Sequence, residues 1–358
     1  MIRTIDYAAL GSAVTKQDVA AYRAELARTK PDFGTNNWIA IIVVIVVVVS
    51  FGSVFVGVLG SIGASLAQSS AGGGAAALVI AVPFIVLAVI IGLIVLLVRY
   101  FGTQRFERYV RLDRFAKANG LIFSPADPNP QYPGAIFGQG RARAAYDHFR
   151  SASDRFLDFG NYRYTTGSGK NSTTHTWGFM ALQLDRALPH MVLDSRANNG
   201  LFGGTNLPAT FTKDQVLSLE GDFDNYFTLY CPKQYERDAL YVFTPDLMAL
   251  CIDNAAPFDI EIVDKWMFVY SASPFDMSNG AIYQRLFGIV DTVGAKTLHQ
   301  TDRYADERVA NFAANYVAPQ GARLKRGVPV AAIVIGALVL GFWLIPQIAG
   351  FVVAMSGR

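Results

Sequence analysis

The chain has 358 residues, of which 52% are hydrophobic and 16% charged, with a formal net charge of +3. The charged share lies below the roughly 25% typical of soluble domains, and the small net charge is no nucleic-acid footprint, because the basic residues cluster beside long apolar stretches rather than along one motif. Two cysteines, Cys231 and Cys251, with no CxxC pair, leave no basis for a disulfide scaffold or a thiolate metal site; they read as reduced, buried packing residues.

In chain order, residues 15 to 30 read as a helix. Thr15 and Asp18 form a capping-box pattern, Val19, Tyr22 and Leu26 share one face, and Pro31 ends it. It reads as a short helix docked on the main domain, with a helix lying on a membrane surface as the alternative. Trp38–Leu59, Ala75–Val98 and Val328–Met355 then stand out as apolar stretches without Lys, Arg, Asp, Glu or His. Each exceeds the roughly 20 residues a helix needs to cross a bilayer, so the sequence predicts three transmembrane helices. The polar residues before the first stretch, and its length, argue against a cleavable signal peptide.

The expected organisation is an N-terminal segment over 1–37, a transmembrane hairpin over 38–98, an α+β domain over 99–326, and a third span with a short tail over 327–358. Arg99, Arg105, Arg108, Arg111, Arg114 and Lys117 follow the second stretch, and Arg323, Lys325 and Arg326 precede the third. Basic flanks stay on the cytoplasmic side. The N-terminus and the large domain are thus expected in the cytoplasm, the C-terminus outside, and Arg99, Arg105, Arg108, Arg111, Arg323, Lys325 and Arg326 against lipid headgroups. Small residues at helix-packing spacing, Ser53 with Gly57 and Gly60 with Ala64, suit self-association or contact with other membrane proteins. The absence of ionisable groups in these stretches argues against a transport path.

From Arg99 to Ala118 the pattern predicts a helix. The turn-rich run Ser124–Pro133 reads as a linker opening the globular part. Strands are expected at Phe156–Thr166, Thr174–Asp185, Met191–Leu193, Val216–Leu219, Tyr226–Cys231, Phe258–Val263 and Trp266–Ser271, the last two joined as a hairpin through Asp264 and Lys265. Thr244-Pro245-Asp246 starts a helix, and further helices are expected over Ala281–Val293 and Asp302–Tyr316. Strands first and helices last indicate a mostly antiparallel sheet with C-terminal helices.

Candidate chemistry is sparse. Gly167-Ser168-Gly169-Lys170 lacks the first Gly and the final Ser or Thr of a phosphate loop and reads as a hairpin turn. Glu220, Asp222 and Asp224 form an acidic triplet whose carboxylates are the weak catalytic candidates for acid–base work, without the closing Glu of a calcium loop. His148, His175, His190 and His299 share no metal-ligand spacing, so no metal or cofactor is expected. The long loop from Arg196 to Pro208, with Arg196, Asn198, Asn199, Gly203, Gly204 and Asn206, is the best place for a partner or ligand.

The stretch Phe223–Met248 resembles the central motif of an uncharacterised bacterial membrane family catalogued as domain of unknown function 3137. The parallels are Phe223, Phe227, Tyr230, Glu236, Ala239 and Leu240, then Thr244-Pro245 and Met248; Arg237 and Asp238 depart from that family's pattern. The resemblance implies a bacterial membrane setting and carries over no activity or catalytic residues. Together these readings favour a membrane-anchored interaction, scaffolding or regulatory protein, with a membrane-tethered hydrolase using the carboxylate cluster as the alternative and an accessory subunit of a transporter as a third reading.

Overall fold

The computed structural model describes residues 5–31, 33, 102–153, 155–199, 204–309 and 315–327, with scattered helical positions within 46–92 and 340–345. It divides into two compact units, Ala8–Arg114 and Met1–Tyr7 with Phe115–Arg358.

In the first unit, helix α1 (Lys16–Thr29) begins with the expected capping box: the Asp18 amide donates to the Thr15 hydroxyl, and the Thr15 amide to the Asp18 carboxylate at 2.8 Å. Val19 and Leu26 are its buried face. Arg114 of helix α2, which spans 102–118, pairs with Asp18 at 2.8 Å. Arg23 lies over the Phe106 ring, 4.3 Å from its centroid.

The second unit is built on seven antiparallel strands: β1 (Leu121–Pro128), β2 (Arg141–Ser151), β3 (Leu157–Thr166), β4 (Thr173–Ser195), β5 (Val216–Leu217), β6 (Phe227–Tyr230) and β7 (Asp259–Ser271). The order is β1-β2-β3-β4-β6-β5, with β7 on the other side of β4. The 23-residue β4 is the spine, pairing with β3 along its first half, β6 at its end, and β7 along most of its length. Helices α3 (Glu236–Val242), α4 (Pro245–Ala255), α5 (Gly280–Ile289), α6 (Ala295–Thr301) and the short α7 (Pro319–Ala322) complete the unit; a five-residue π turn joins α5 to α6.

Alternation along the strands sends side chains to two cores. On one face Phe115 of α2, Phe149, Phe159, Tyr283 and Phe287 interlock, with Phe115 and Tyr283 centroids 4.4 Å apart. On the other, the strap 129–140 lays Tyr132, Ile136 and Phe137 over Tyr162, Phe179, Phe268 and Tyr270. The strap is pinned twice: Tyr132 donates to Asp158 at 2.6 Å, and the Ala135 amide donates to Glu261 at 2.7 Å. Gly134 is required within it, because a Cβ there would lie 2.1 Å from the Tyr270 hydroxyl oxygen.

Several expectations are corrected. Among the described residues no helix is long and apolar enough to cross a membrane, which overturns the three transmembrane helices, the multi-pass localisation and the inside–outside orientation built on them. An apolar run supplies the hydropathy of a span, but a span also needs about 20 continuous helical residues. The long described helices, α1 and α2, fall short of that and carry charges along their length. The stretches 38–59, 75–98 and 328–355 themselves lie largely outside the described residues, as do the small-residue rows within them.

The run Ser124–Pro133, read as a linker, instead contributes its first half to β1. Asp264 and Lys265 do not turn a hairpin; β7 runs through them along the same partner, Asp264 taking φ +53° as a bend. No helix covers the described part of 302–316, because the Asp306 carboxylate folds that backbone locally, accepting from Tyr235, the Ala318 amide and the Arg308 amide.

Candidate functional site

The acidic triplet serves a turn. Asp224 accepts from the Leu219 amide at 3.2 Å and from the Ser218 hydroxyl, Asp222 precedes the 3-10 turn Phe223–Asn225, and Glu220 is exposed beside it. Both cysteines are buried, and burial pushes each thiol up to about 12, away from the thiolate a nucleophile needs. Among the described residues no group of three or more His, Cys, Asp or Glu side chains is placed to hold a metal.

Three of the four histidines are held by internal contacts. His175 stacks on Tyr164, centroids 4.8 Å apart, and bonds Thr166 at 2.8 Å. His190 accepts the Leu324 amide on Nδ1 at 3.0 Å, so its proton sits on Nε2, which reaches Glu261 at 2.8 Å. His148 is fully buried with a carboxylate on each ring nitrogen, Asp158 at 2.8 Å and Asp127 at 3.0 Å, which makes it an imidazolium. Burial opposes that charge, but hydrogen bonds to Asp127 and Asp158 outweigh it and raise the pKa. Arg150 and Tyr132 complete the cluster on Asp158. His148 owes its depth to Gly160, where a Cβ would lie 2.4 Å from the His148 Cα. His299 stands exposed on α6.

The basic residues expected at lipid are engaged within their own units. Arg105 donates to the Tyr109 hydroxyl at 2.7 Å, Arg108 lies over the Tyr109 ring, and Arg111 donates to the Ser12 carbonyl. Arg323 grips Asp264 through two 2.8 Å bonds, Lys325 exchanges backbone bonds with the Gln215 side chain, and Arg326 bridges to Phe211. Arg99 lies outside the described residues.

The loop expected to bind a ligand closes over two carboxylates that sequence reading did not single out. Asp194 is the penultimate residue of β4 and Asp259 the first of β7, and the register that sets Leu193 opposite Ile260 brings them together; they are 3% and 0% exposed. Asp259 accepts from the Ser195 amide at 2.8 Å and from Asn198 at 3.1 Å, and Asp194 accepts from Thr205 at 2.9 Å. Burial, reinforced by the charge of Asp194, pushes the Asp259 carboxyl up to about 7 against the Ser195 amide. Burial likewise raises Asp194, opposed by Thr205, Asn199 and the charge of Arg196. The amide oxygens of Asn198, Asn199 and Asn206, and the Asn206 nitrogen, are sealed from solvent without a hydrogen-bond partner. Arg196 is exposed, Gly204 is half-buried, and Gly203 lies outside the described residues. The signal was present in the sequence as an Asp closing an apolar run immediately before an asparagine-rich loop.

A groove crosses the surface where β4 and β7 bend together. One cleft of about 400 Å³ is lined by Arg155, Phe156, Gln183, Asp185 and Lys265. A second of about 360 Å³ continues it through Lys265, Trp266, Asn315, Tyr316 and Val317. Its rims are stiffened by two bidentate pairs, Arg155 with Asp185 and Arg323 with Asp264. Asn315 stitches the β4 bulge by accepting from the Ala187 amide at 2.7 Å and donating to the Asp185 carbonyl at 2.8 Å.

No family model and no curated protein matches the chain. Among solved structures, the crystal structure of the mycobacterial trehalose monomycolate transport factor A, TtfA, aligns at 11% identity with a TM-score of 0.34, covering 53% of this chain and 90% of that one. A score this low establishes neither a shared fold nor a shared function.

Proposed function

We propose that this chain is a non-catalytic interaction module that offers the groove at the β4–β7 bend to a polypeptide partner. The carrying observation is that groove, where Trp266 and Phe156 meet edge-to-face at 5.5 Å and Tyr316, 55% exposed, stands beside Lys265. Aromatic side chains set in a rigid, polar-rimmed surface are the usual energetic centres of protein interfaces. The non-catalytic part is supported by the internal commitments of His148, His190 and Asp224 and by the suppressed thiols.

The test replaces Tyr316, and separately Lys265, with a photo-reactive residue in the full chain. A defined protein adduct at both positions, lost when Lys265→Glu is added to the Tyr316 probe with the melting temperature unchanged, is the expected outcome. An adduct at twice the chain's mass identifies a second copy. No adduct at either position, or adducts indifferent to Lys265→Glu, defeats the groove as the interaction surface.

A further inference from the structure

We infer that the glycine end of the strap closes over a binding site for a small apolar carboxylate, formed by Tyr162, Trp177 and Arg143 and separate from the β4–β7 groove. Tyr162 and Tyr164 alternate along β3, and Trp177 of β4 stands opposite Tyr162 in the register. All three therefore rise on the strap face, where they are 0%, 3% and 6% exposed in chain order. Arg143 comes from β2, two residues before Ala145, which pairs with Tyr162.

These side chains bring donors together without an acceptor. The Tyr162 hydroxyl is sealed from solvent and has no hydrogen-bond partner. The Trp177 indole N–H approaches the Tyr164 hydroxyl without completing a hydrogen bond to it. Arg143 is half-buried and acts on Tyr162 through its charge, and its guanidinium has no hydrogen bond or ion pair among the described residues. The groups acting on Tyr162 and Tyr164 include no carboxylate. Burial pushes the Tyr162 phenol up to about 12 against the pull of Arg143, so at neutral pH it remains an O–H donor. Buried polar groups of native proteins are nearly always paired, and this acid-free corner is completed by an acceptor from outside.

Access lies at the end of the strap. Gly138 is exposed with φ +80°, and a Cβ there would meet only the Arg143 guanidinium, Nη1 at 4.0 Å. Gly140 closes the far side against the Thr165 carbonyl. Inside, Phe137 packs on Tyr162 with centroids 4.7 Å apart, and His175 stacks on Tyr164 at 4.8 Å, an aromatic lining for an apolar body. Ligand sites combine such a lining with a few placed polar groups. One guanidinium balances one negative charge, whereas a phosphate dianion would keep an uncompensated charge in a buried place. A planar carboxylate meets the guanidinium fork through two parallel bonds and retains lone pairs for the Tyr162 and Trp177 donors.

The experiment titrates sodium benzoate into the full chain by calorimetry, with benzamide as the uncharged isostere and inorganic phosphate as the dianion. Saturable binding of benzoate alone is expected. Tyr162→Phe removes one oxygen that holds nothing in the fold; it should leave the melting temperature unchanged or higher and weaken benzoate at least tenfold, the scale of a hydrogen bond to a charged group. Arg143→Gln, at the half-buried rim, should weaken it at least as much, and carries the test alone should Tyr162→Phe fail to fold. Lys265→Glu, in the groove, should leave benzoate binding unchanged. No saturable binding of benzoate overturns the site, as does affinity that survives in the folded variants or is lost in Lys265→Glu. Benzamide bound as tightly as benzoate overturns the recognition of charge, and phosphate bound more tightly overturns the choice of carboxylate.

Discussion

At the residue scale the buried histidines show how geometry decides charge. His148 faces a carboxylate through each ring nitrogen and is an imidazolium, whereas His190 accepts a backbone amide on one nitrogen and is neutral. Because the folded pKa of His148 is raised above the unfolded value of about 6.5, its contribution is complete below that value. It is lost as pH rises through the folded pKa. Asp158, held below the usual carboxylate range by His148, Tyr132 and Arg150 despite its burial, works in a separate acid window, where stability falls as pH drops through its lowered pKa. Replacing His148 with Gln leaves Asp158 buried with one cation fewer. The expected cost is about 3 kcal/mol near pH 6, shrinking toward alkaline pH, measured as urea midpoints between pH 5.5 and 9. Equal loss at every pH would refute the imidazolium. None of this was legible beforehand, since sequence spacing places His148, Asp127 and Asp158 on three strands whose register the composition does not reveal.

At the element scale, local signals read well and long-range ones did not. The capping box of α1 and the Thr244-Pro245 start of α4 are decided by neighbours within one turn, although the Thr244 hydroxyl itself finds no partner. The fate of Asp264-Lys265 depended on Leu188 and Arg323, far away in the chain. There β4 and β7 bend together and the inward face changes parity: Phe179 and Ala181 face the strap before the bend of β4, Val192 after it, just as Glu261 precedes and Phe268 follows that of β7. A period-2 reading carried through such a bend sends each side chain to the wrong face.

Glu261 accepts from Ala135, Tyr270 and His190, so Glu261→Gln sets an NH₂ donor against donors. We expect a loss of about 1–3 kcal/mol and faster hydrogen exchange over 132–137. A strap that stays protected in a destabilised variant would show that its aromatic contacts suffice without Glu261.

At the scale of the whole molecule, the candidate site was half visible. The asparagines and glycines of the loop mark it in the sequence, but the acids beneath it belong to strand ends brought together only by folding. The apolar stretches show the opposite failure, where a strong compositional signal fixed three membrane crossings that no described helix is long and apolar enough to make.

The length of β4 has a kinetic consequence. Its first half closes with β3 across a short turn, Thr166 opposite Thr173, while its β7 partner arrives much later in the chain, Leu193 meeting Ile260 and Gly178 meeting Ser271. Loop-closure entropy makes near pairings form before distant ones, so β1 to β4 should acquire amide protection ahead of β7 in pulse-labelling during refolding. Simultaneous protection of both would contradict this order. Until β7 docks, one margin of β4 is an open template, and the chain passes through its most self-adhesive state with that strand half dressed.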